Sequence, residues 1–406
     1  YGQEKDIYLT YSFYQEGSSY SYLTDSELNS VSSLPDAGRA AVYDSLGQIE
    51  KFTNLNFIEV ADSSSNFGDL RFAIGSETFM DGALGFAFYP GVRGLVDPDY
   101  SDIEGDIFLR SFSTSEYNKD GGEAFYTIIH EIGHAIGLSH PFDSGQINPA
   151  LHDASCNCLA CSMDSNLTFG SDSNIGSSER DSSVYSVMSY GFDGWSRSDP
   201  TSSTYMVDDI RALQLLYGSD TSFASGNNIY DYSTFSHENN GFIKSIYDAG
   251  GTDTFDFSNQ AFETHGNLNS NDFLFLDGNP SNGTITSIND QDILNLSEFE
   301  GVLGIANSQI ERFFGADGND EITAGSTGNT LFGGFAPRVV DSFTVGDGID
   351  EIIIYDSGFN TTKTECDIVS NFNISQDKFC LEGGLTHASL SFEDDGSNCY
   401  IKNASG

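Results

Sequence analysis

The stretch HEIGHAIGLSH, residues 130–140, contains three histidines, with His134 four residues after His130 and His140 six residues further on. On an α-helix, residues four apart lie on one face about one turn apart, so His130 and His134 can both direct an imidazole at one metal ion. Gly137 lacks a Cβ and can leave the helical conformation, which lets the chain turn sharply and return His140 as a third ligand. The stretch therefore predicts a zinc site with three histidine ligands.

Three protein ligands leave one position of a tetrahedral zinc ion open to water, whose pKa falls towards ~7. Glu131 follows the first histidine, and its carboxylate can accept the water's proton during attack on a peptide carbonyl and pass it to the leaving amine. The alternative is a helix whose histidines only pack or face solvent. That alternative is weak, because the motif fixes five positions in eleven residues of a chain with only 7 histidines. We predict a hydrolytic zinc centre with Glu131 as the general base.

Residues on both sides of this stretch predict a domain that mixes helices and strands. Apolar side chains recur every three positions in residues 36–52, which is typical of one face of an amphipathic helix. Further helices are predicted at residues 122–138, around the histidines, and at residues 207–217, ending before Gly218. Runs of β-forming or alternating side chains predict strands at 56–62, 70–76 and 106–112. We expect a twisted mixed sheet beside the histidine-bearing helix.

Helical periodicity disappears after about residue 220, where Gly, Asn and Asp separate short β-prone runs. The segments GADGNDEIT (315–323) and STGNTLFGG (326–334) are turn-plus-strand units of about nine residues, the period of a calcium-binding parallel β-roll. A generic Gly-rich β-domain is the alternative. The predicted class is therefore α+β, with a catalytic domain at residues 1–220 and an all-β domain, a β-roll with a β-sandwich, at residues 221–406.

The net charge of the chain argues against some classes of binding partner. Its 406 residues include 61 Asp and Glu against 16 Lys and Arg, a net charge of -45, which repels nucleic-acid phosphates and anionic lipid. Bound Ca²⁺ could neutralise much of this charge, since it prefers carboxylate and carbonyl oxygens, and a solvated acidic surface suited to salty surroundings is the alternative. No run approaches the roughly 18 apolar residues that cross a bilayer, and Tyr1 is not an initiator Met, so we expect a soluble, processed chain.

Six cysteines, an even number, suit an oxidising compartment, and their pairing stays open. Either each of two clusters leaves one cysteine over, or a bridge joins the clusters. A thiolate zinc site is the weaker interpretation of the run CNCLAC, because such sites usually need four ligands. The cysteines are Cys156, Cys158, Cys161, Cys366, Cys380 and Cys399.

The motif resembles that of a known family. HExxHxxGxxH followed by a later Met turn, here SVMSY with Met188, is similar to the metzincin zinc peptidases. Pro141 after the third histidine, and Tyr190 two residues after Met188, point to the serralysin branch, in which a zinc protease domain precedes a calcium-binding β-roll. The similarity extends over LTYSF (9–13), NFIEVADSS (56–64), GDIFL (105–109), DIRALQLLYG (209–218), IYDAGGTDTFDFS (246–258) and GVLGIANSQIERFFGADGND (301–320).

This resemblance implies roles for residues around the zinc. Tyr190 would be an additional zinc ligand that swings away to hydrogen-bond the oxyanion of the reaction, and core packing is its alternative role. Met188 would form a hydrophobic base under the metal. An edge strand beside the cleft would pair with an extended peptide by strand addition. That strand would consist of Gly105, Asp106, Ile107, Phe108 and Leu109.

The resemblance also implies several calcium sites. A cation between carboxylates and glycine carbonyls suits the flexible oxygen shell of Ca²⁺. Each aspartate could instead cap a turn. The reduced roll implies fewer ions than in a full relative, and carbonyl ligands near Gly226 are doubtful because the stretch from 218 to 245 is short. The implied ligands are Asp248, Gly250, Gly251 and Asp253, with Glu311 at a second ion, and Asp317 and Asp320 in the roll.

Together these observations predict a secreted, extracellular, monomeric endopeptidase with one catalytic zinc and several structural calcium ions. It would cleave extended polypeptides, could meet a proteinaceous inhibitor, and would bind neither nucleic acid nor membrane. One alternative is a calcium-dependent adhesion or surface-layer module with an inert protease domain, against which the intact histidines, Glu131 and Tyr190 argue. Another is a metzincin of a different branch, against which Pro141 and the β-roll argue.

Overall fold

The computed structural model describes most of the chain as two compact units. One unit is Tyr1–Phe223 with Ile243–Ser245, and the other is Ala224–Phe242 with Ile246–Gly406. None of the helices in the described ranges is both long and apolar enough to cross a bilayer. The described ranges are 7–90, 103–118, 122–141, 181–190, 201–231, 242–277, 299–334, 340–355 and 366–403.

The first unit combines a mixed sheet with helices. The sheet has the strand order β3-β1-β4-β6-β5, and β2 pairs with β4. Strands β1, β3, β4 and β6 run parallel, whereas β2 and β5 are antiparallel to their neighbours. The strands are β1 (Ile7–Phe13), β2 (Val31–Ser32), β3 (Leu55–Glu59), β4 (Leu70–Gly75), β5 (Gly85–Ala87) and β6 (Asp106–Leu109). The helices are α1 (Asp25–Leu28), α2 (Asp36–Phe52), α3 (Glu77–Met80), α4 (Glu123–Ala135) and α5 (Val207–Tyr217), with a 3-10 helix at Thr114–Tyr117.

The helices that shape the site form where the apolar pattern predicts them. Helices α2 and α5 have the predicted bounds, and α5 stops at Gly218. Helix α4 ends at Ala135, three residues before its predicted end, because the backbone turns at Gly137 with φ of 108°. Every residue from Ala124 to Ala135 is buried, since α4 contacts α2, β5 and β6. The helix that carries two of the histidines is therefore held on all sides.

The prediction that residues 105–109 form the sheet edge is wrong. Strand β6 lies between β4 and β5, and among the described strands β5 is the outermost at this side of the sheet. All four residues of β6 are buried, as expected for an apolar run with a strand on each side. Gly105, Asp106, Ile107, Phe108 and Leu109 are thus interior positions, and the outermost strand of the described sheet at this side is Gly85–Ala87.

A buried ion pair lies at the start of strand β4. The Nε and Nη2 atoms of Arg71 donate to the two carboxylate oxygens of Asp62 at 2.6 and 3.0 Å, and Nη1 donates to the carbonyl of Ser19. The guanidinium also lies 3.8 Å from the centre of the Tyr20 ring. Because a buried charge left without its partner costs about 3–5 kcal/mol, this pair needs both members.

The second unit is a β-roll built from two sheets. One sheet contains the order β18-β16-β14-β10-β11-β12, and the other β19-β17-β15-β13-β9-β7. From β13 onwards, successive strands alternate between the sheets and pair in parallel with the strand one coil away. The strands are β7 (Ile229–Asp231), β9 (Thr254–Asp256), β10 (Glu263–Asn267), β11 (Phe273–Asp277), β12 (Phe299–Ile305), β13 (Arg312–Phe314), β14 (Glu321–Thr323), β15 (Thr330–Phe332), β16 (Ser342–Thr344), β17 (Glu351–Ile354), β18 (Ile368–Ser370) and β19 (Lys378–Leu381), followed by the hairpin β20 (Leu390–Asp394) and β21 (Cys399–Asn403). Strand β8 (Ile243–Ile246) has its first three residues in the first unit.

The core of the roll contains side chains from the middle of its short strands. The middle residues of successive strands, among them Phe313, Ile322, Leu331 and Phe343, are buried between the two sheets. The turn-plus-strand units predicted at 315–323 and 326–334 form consecutive half-coils, and the predicted α+β class is confirmed.

No disulfide is formed among the cysteines in the described ranges, Cys366, Cys380 and Cys399. Cys156, Cys158 and Cys161 lie outside the described residues, so the predicted bridges that involve them stay predictions.

Candidate metal centre

Three histidines converge at the C-terminal end of α4. His130 and His134 project from one face of the helix with ring centres 4.7 Å apart, and the ring of His140 lies 4.5 Å from that of His134. The turn at Gly137 is closed by a hydrogen bond of 2.8 Å from the Leu138 amide to the Gly133 carbonyl, which returns the chain towards the helix. One ligand atom from each histidine lies within 4.8 Å of the other two.

Two backbone carbonyls set the orientation of the helical histidines. The Nδ1 atoms of His130 and His134 lie 2.8 Å from the carbonyl oxygens of Val187 and Leu138. A carbonyl only accepts, so each Nδ1 carries the proton and each Nε2 presents its lone pair to the centre of the cluster. Burial lowers the pKa of His130 to about 4 and that of His134 well below its usual value, which keeps both rings in the neutral form that binds metal.

The spacing of two of the nitrogens fits a tetrahedral zinc ion. The Nε2 atoms of His134 and His140 lie 3.1 Å apart, close to the separation of about 3.3 Å expected for two imidazole nitrogens on one zinc. The buried Nε2 of His130 has no hydrogen-bond partner within the described ranges. A buried nitrogen without a partner is destabilising unless something binds it, and a cation at this point would do so.

Glu131 lies beside the histidines under the edge of the sheet. Its side chain is buried, its Oε2 atom meets no hydrogen-bond partner in the described part of the chain, and burial raises its pKa to about 8. Gly85 of β5 covers it so closely that a Cβ there would lie 2.7 Å from Cγ and 2.8 Å from Oε1 of Glu131. The edge strand and the carboxylate are therefore in direct contact.

Tyr190 lies against two of the histidine rings, and Met188 lies against the helix that carries the motif. The Tyr190 ring stacks at 5.5 Å on His130 and lies 4.5 Å from His140, and 45% of its surface is exposed. Met188 is buried, and a Cβ at Gly133 would lie 2.6 Å from its sulfur atom. Met188 therefore packs against the helix that holds His130 and His134, and Tyr190 reaches the solvent side.

The sequence motifs missed some residues around the site. Gly85 is in contact with Glu131, and the Tyr89 ring lies 4.9 Å from His134. The hydroxyl of Tyr205 donates to the Ile129 carbonyl at 2.8 Å, and that of Tyr217 to the Ile136 carbonyl at 2.6 Å. No periodicity marks these positions, because their roles arise only from contacts with the histidine-bearing segment that form when the chain folds.

Carboxylates cluster at the implied calcium positions near β9. The Glu311 carboxylate accepts the Asp253 amide at 2.8 Å, and Tyr230 donates to Asp248 at 2.5 Å. Burial, and then the charges of Asp248 and Glu311, raise the pKa of Asp253 to about 6. Its Oδ2 atom is buried without a hydrogen-bond partner among the described residues.

Two glycines of this cluster have positive φ, and one of them lies against a backbone carbonyl. Gly250 and Gly251 have φ of 136° and 153°, and a Cβ at Gly251 would lie 2.3 Å from the Gly226 carbonyl oxygen. That carbonyl, doubtful from the sequence, thus lies beside the implied ligands.

Aspartates link neighbouring coils of the roll. Asp320, Asp341 and Asp367 each precede a strand, and each carboxylate accepts the amide of the corresponding residue in the preceding coil at 2.7 to 3.1 Å. Asp350 and Asp377 do the same on the other sheet. Asp320 is buried and burial raises its pKa well above the usual value, whereas Asp317 is exposed in the same turn.

Comparisons with known proteins agree with this arrangement. The matrixin family model matches residues 14–155, and the model of the peptidase M10 serralysin C terminal matches residues 208–398. The chain is 30% identical to Serralysin C of Dickeya chrysanthemi over 294 residues, which is 65% of this chain and 54% of that protein. It is 29% identical to Metalloprotease AprA of Pseudomonas entomophila over 288 residues, 65% of this chain and 49% of that protein. It is 27% identical to Metallopeptidase AprA of Pseudomonas marginalis over 347 residues, 80% of this chain and 61% of that protein. The chain thus spans about half to three fifths of these relatives.

Proposed function

Because the chain carries a matrixin domain followed by a serralysin C-terminal domain, we propose that it is a zinc-dependent endopeptidase that cleaves proteins outside the cell. The observation that supports this most strongly is the convergence of His130, His134 and His140 beside Glu131. The imidazoles of His130 and His134, neutral and with fixed tautomers, form with that of His140 a ligand set for one zinc ion with an open position.

Each side chain has a distinct task in the proposed reaction. Bound zinc would supply a Lewis acid and lower the pKa of a water molecule. Glu131 accepts the proton of the attacking water at its carboxylate and gives it to the nitrogen of the leaving amine. Tyr190, partly exposed beside His130 and His140, donates its hydroxyl to the oxyanion that forms on the peptide carbonyl.

The substrate is an extended polypeptide that pairs with β5. This strand replaces residues 105–109 in that role, because its outer side meets no further strand in the described sheet. Gly85 lies directly on Glu131, so a peptide paired with β5 passes close to the catalytic carboxylate. Recognition of main-chain groups over several residues favours cleavage within a chain.

Several Ca²⁺ ions stabilise the second unit in this proposal. Asp248, Asp253 and Glu311 supply carboxylates at one place, with the Gly226 and Gly251 backbone beside them. Asp320 and exposed Asp317 supply a second place in the roll. The buried carboxylate oxygens without partners among the described residues support cation binding, since Ca²⁺ would compensate their charge.

The test of the catalytic proposal compares casein hydrolysis by the purified chain and its Glu131→Ala variant, with the zinc content of both. We expect about one zinc per chain in each and cleavage only by the wild type, with a loss of at least ~100-fold in the variant. Zinc in both proteins with no cleavage of any protein by the wild type would refute the peptidase proposal and favour an adhesion module. Equal melting curves with and without a calcium chelator would refute the calcium proposal.

A further inference from the structure

A continuous chain of hydrogen bonds joins a buried carboxylate on α5 to the imidazole of His130. The Val187 carbonyl accepts from Nδ1 of His130 at 2.8 Å. The amide in the same peptide group, that of Met188, donates at 3.0 Å to the hydroxyl oxygen of Ser186. The Ser186 hydroxyl donates at 2.6 Å to Oδ1 of Asp209. All of these groups are buried.

Each hydrogen bond in this chain can be donated in only one direction. The carbonyl and the carboxylate accept, so the protons point from His130 through the peptide group and Ser186 towards Asp209. A peptide group whose N–H is engaged by an acceptor has a more negative carbonyl oxygen, because successive hydrogen bonds polarise one another. The carboxylate therefore strengthens the hydrogen bond that orients His130 and makes its Nε2 lone pair more basic.

The other oxygen of Asp209 holds the same turn in place. Oδ2 accepts the amides of Val187 at 2.8 Å and Met206 at 2.9 Å. Burial raises the pKa of Asp209 to about 7, and the three donors act against that rise. A carboxylate that receives three donors fixes the Val187 carbonyl in position as well as polarising it.

We propose that Asp209 is a positioning residue for the metal centre, and that it acts on His130 through Ser186 and the peptide group between Val187 and Met188. This inference rests on the proposed zinc site. It differs from the packing role of Met188, because it works through hydrogen bonds and depends on a carboxylate. The outer partners of a metal-bound histidine typically change metal affinity by about 10- to 100-fold when they are lost.

The test measures the zinc dissociation constant of the full chain by competition with a chelator. Ser186→Ala removes the link, and Asp209→Asn keeps the shape but removes the carboxylate. Ser202→Ala is the matched control, since Ser202 is also buried in this unit and its hydroxyl donates at 2.8 Å to the Ser183 carbonyl, which is not part of the hydrogen-bond chain to His130. We expect the dissociation constant to rise about 10- to 100-fold in the first two variants and less than about 3-fold in the control.

A second readout separates orientation of the metal ligand from general loss of stability. The visible absorption of Co²⁺ bound in place of Zn²⁺ depends on the ligand geometry, so it should change in Ser186→Ala and Asp209→Asn but not in Ser202→Ala. If Ser186→Ala does not fold, Asp209→Asn decides the matter. A wild-type zinc affinity in either folded variant overturns the proposal, as does an equal loss in Ser202→Ala.

The same experiment distinguishes this failure from failure of the proposed function. A wild-type chain that binds no zinc overturns both proposals together. A wild-type chain that binds zinc tightly but cleaves no protein overturns the peptidase alone, and the variant affinities still decide the role of Asp209.

Discussion

A single methyl group at Gly85 should impair catalysis while leaving the metal bound. Gly85 lies on the edge strand β5, opposite Leu109 of β6. A Cβ at this position would lie 2.7 Å from Cγ and 2.8 Å from Oε1 of Glu131, whereas ordinary contact begins at 3.4 Å. The same Cβ would lie 2.8 Å from Cγ2 of Thr127, so in Gly85→Ala the side chains of Glu131 and Thr127 must both move by about 0.6 Å or more, because side chains can yield more easily than the paired strand.

The size of the effect follows from that displacement. A misplacement of about 1 Å can cost ~100-fold in rate, so we expect kcat to fall by about 10- to 100-fold, or about 1.4–2.7 kcal/mol. The three atoms nearest to the new methyl group belong to Glu131 and Thr127 and not to a histidine, so we expect the zinc content to stay unchanged.

The assay is kcat on a quenched fluorescent peptide, with zinc content and the melting temperature of each protein. Gly47→Ala is the matched control, because a Cβ at Gly47 in α2 meets nothing within 4 Å and an alanine there favours the helix by up to ~1 kcal/mol. Gly47→Ala should keep full activity. Zinc-loaded, folded Gly85→Ala with kcat within about 3-fold of the wild type would refute the contact between β5 and Glu131 as a determinant of catalysis.

Three further predictions concern stability. Gly133→Ala would place a Cβ 2.6 Å from the Met188 sulfur, and we expect the free energy of unfolding to fall by about 1–3 kcal/mol, measured in urea; an unchanged value would contradict the packing. Arg71→Met leaves the buried Asp62 carboxylate without its partner and should cost about 3–5 kcal/mol, whereas a loss below ~1 kcal/mol would show that the pair is not needed. Burial raises the pKa of Asp341 from 3.8 to about 8, so without calcium its protonated form stabilises the fold at low pH, and that stability is lost as pH rises towards 8. With a chelator, melting of the second unit should therefore occur at higher temperature at pH 5 than at pH 8, and the reverse order would refute the assignment.

The parts of the fold that could be predicted are those encoded by local patterns. Helices α2 and α5 have periodic apolar faces, and α5 ends at a glycine, so their bounds follow from the sequence. The roll was visible at 315–323 because glycine and aspartate mark its turns. Strand β5 has three residues, too few for any periodicity, and the sheet edge was therefore assigned wrongly to the longer apolar run beside it.

The metal site also contains both residues that the sequence identifies and residues that only the fold reveals. His130, His134 and His140 lie within eleven residues, so a motif can identify them. Asp209 lies 22 residues after Val187 and more than 70 after His130, and its role depends on how α5 packs against the segment that contains Met188. The carboxylates of Asp341 and Asp350 meet amides 21 residues away, in another coil, which only the pairing of strands reveals.

Buried polar atoms without partners connect stability to metal binding in both units. Within the described ranges they include Nε2 of His130, Oε2 of Glu131, and Oδ2 of Asp253 and Asp320. Leaving such an atom unsatisfied costs about 1–3 kcal/mol, and more for a charged group. The histidine nitrogen and the two aspartate oxygens lie where metal binding is proposed, so ions there would remove this cost and stabilise the folded state by an amount that grows with their concentration. The Glu131 oxygen is different, because a proton acceptor must remain available to water and substrate. Its penalty is retained in the folded protein and is offset only when the reaction uses that oxygen.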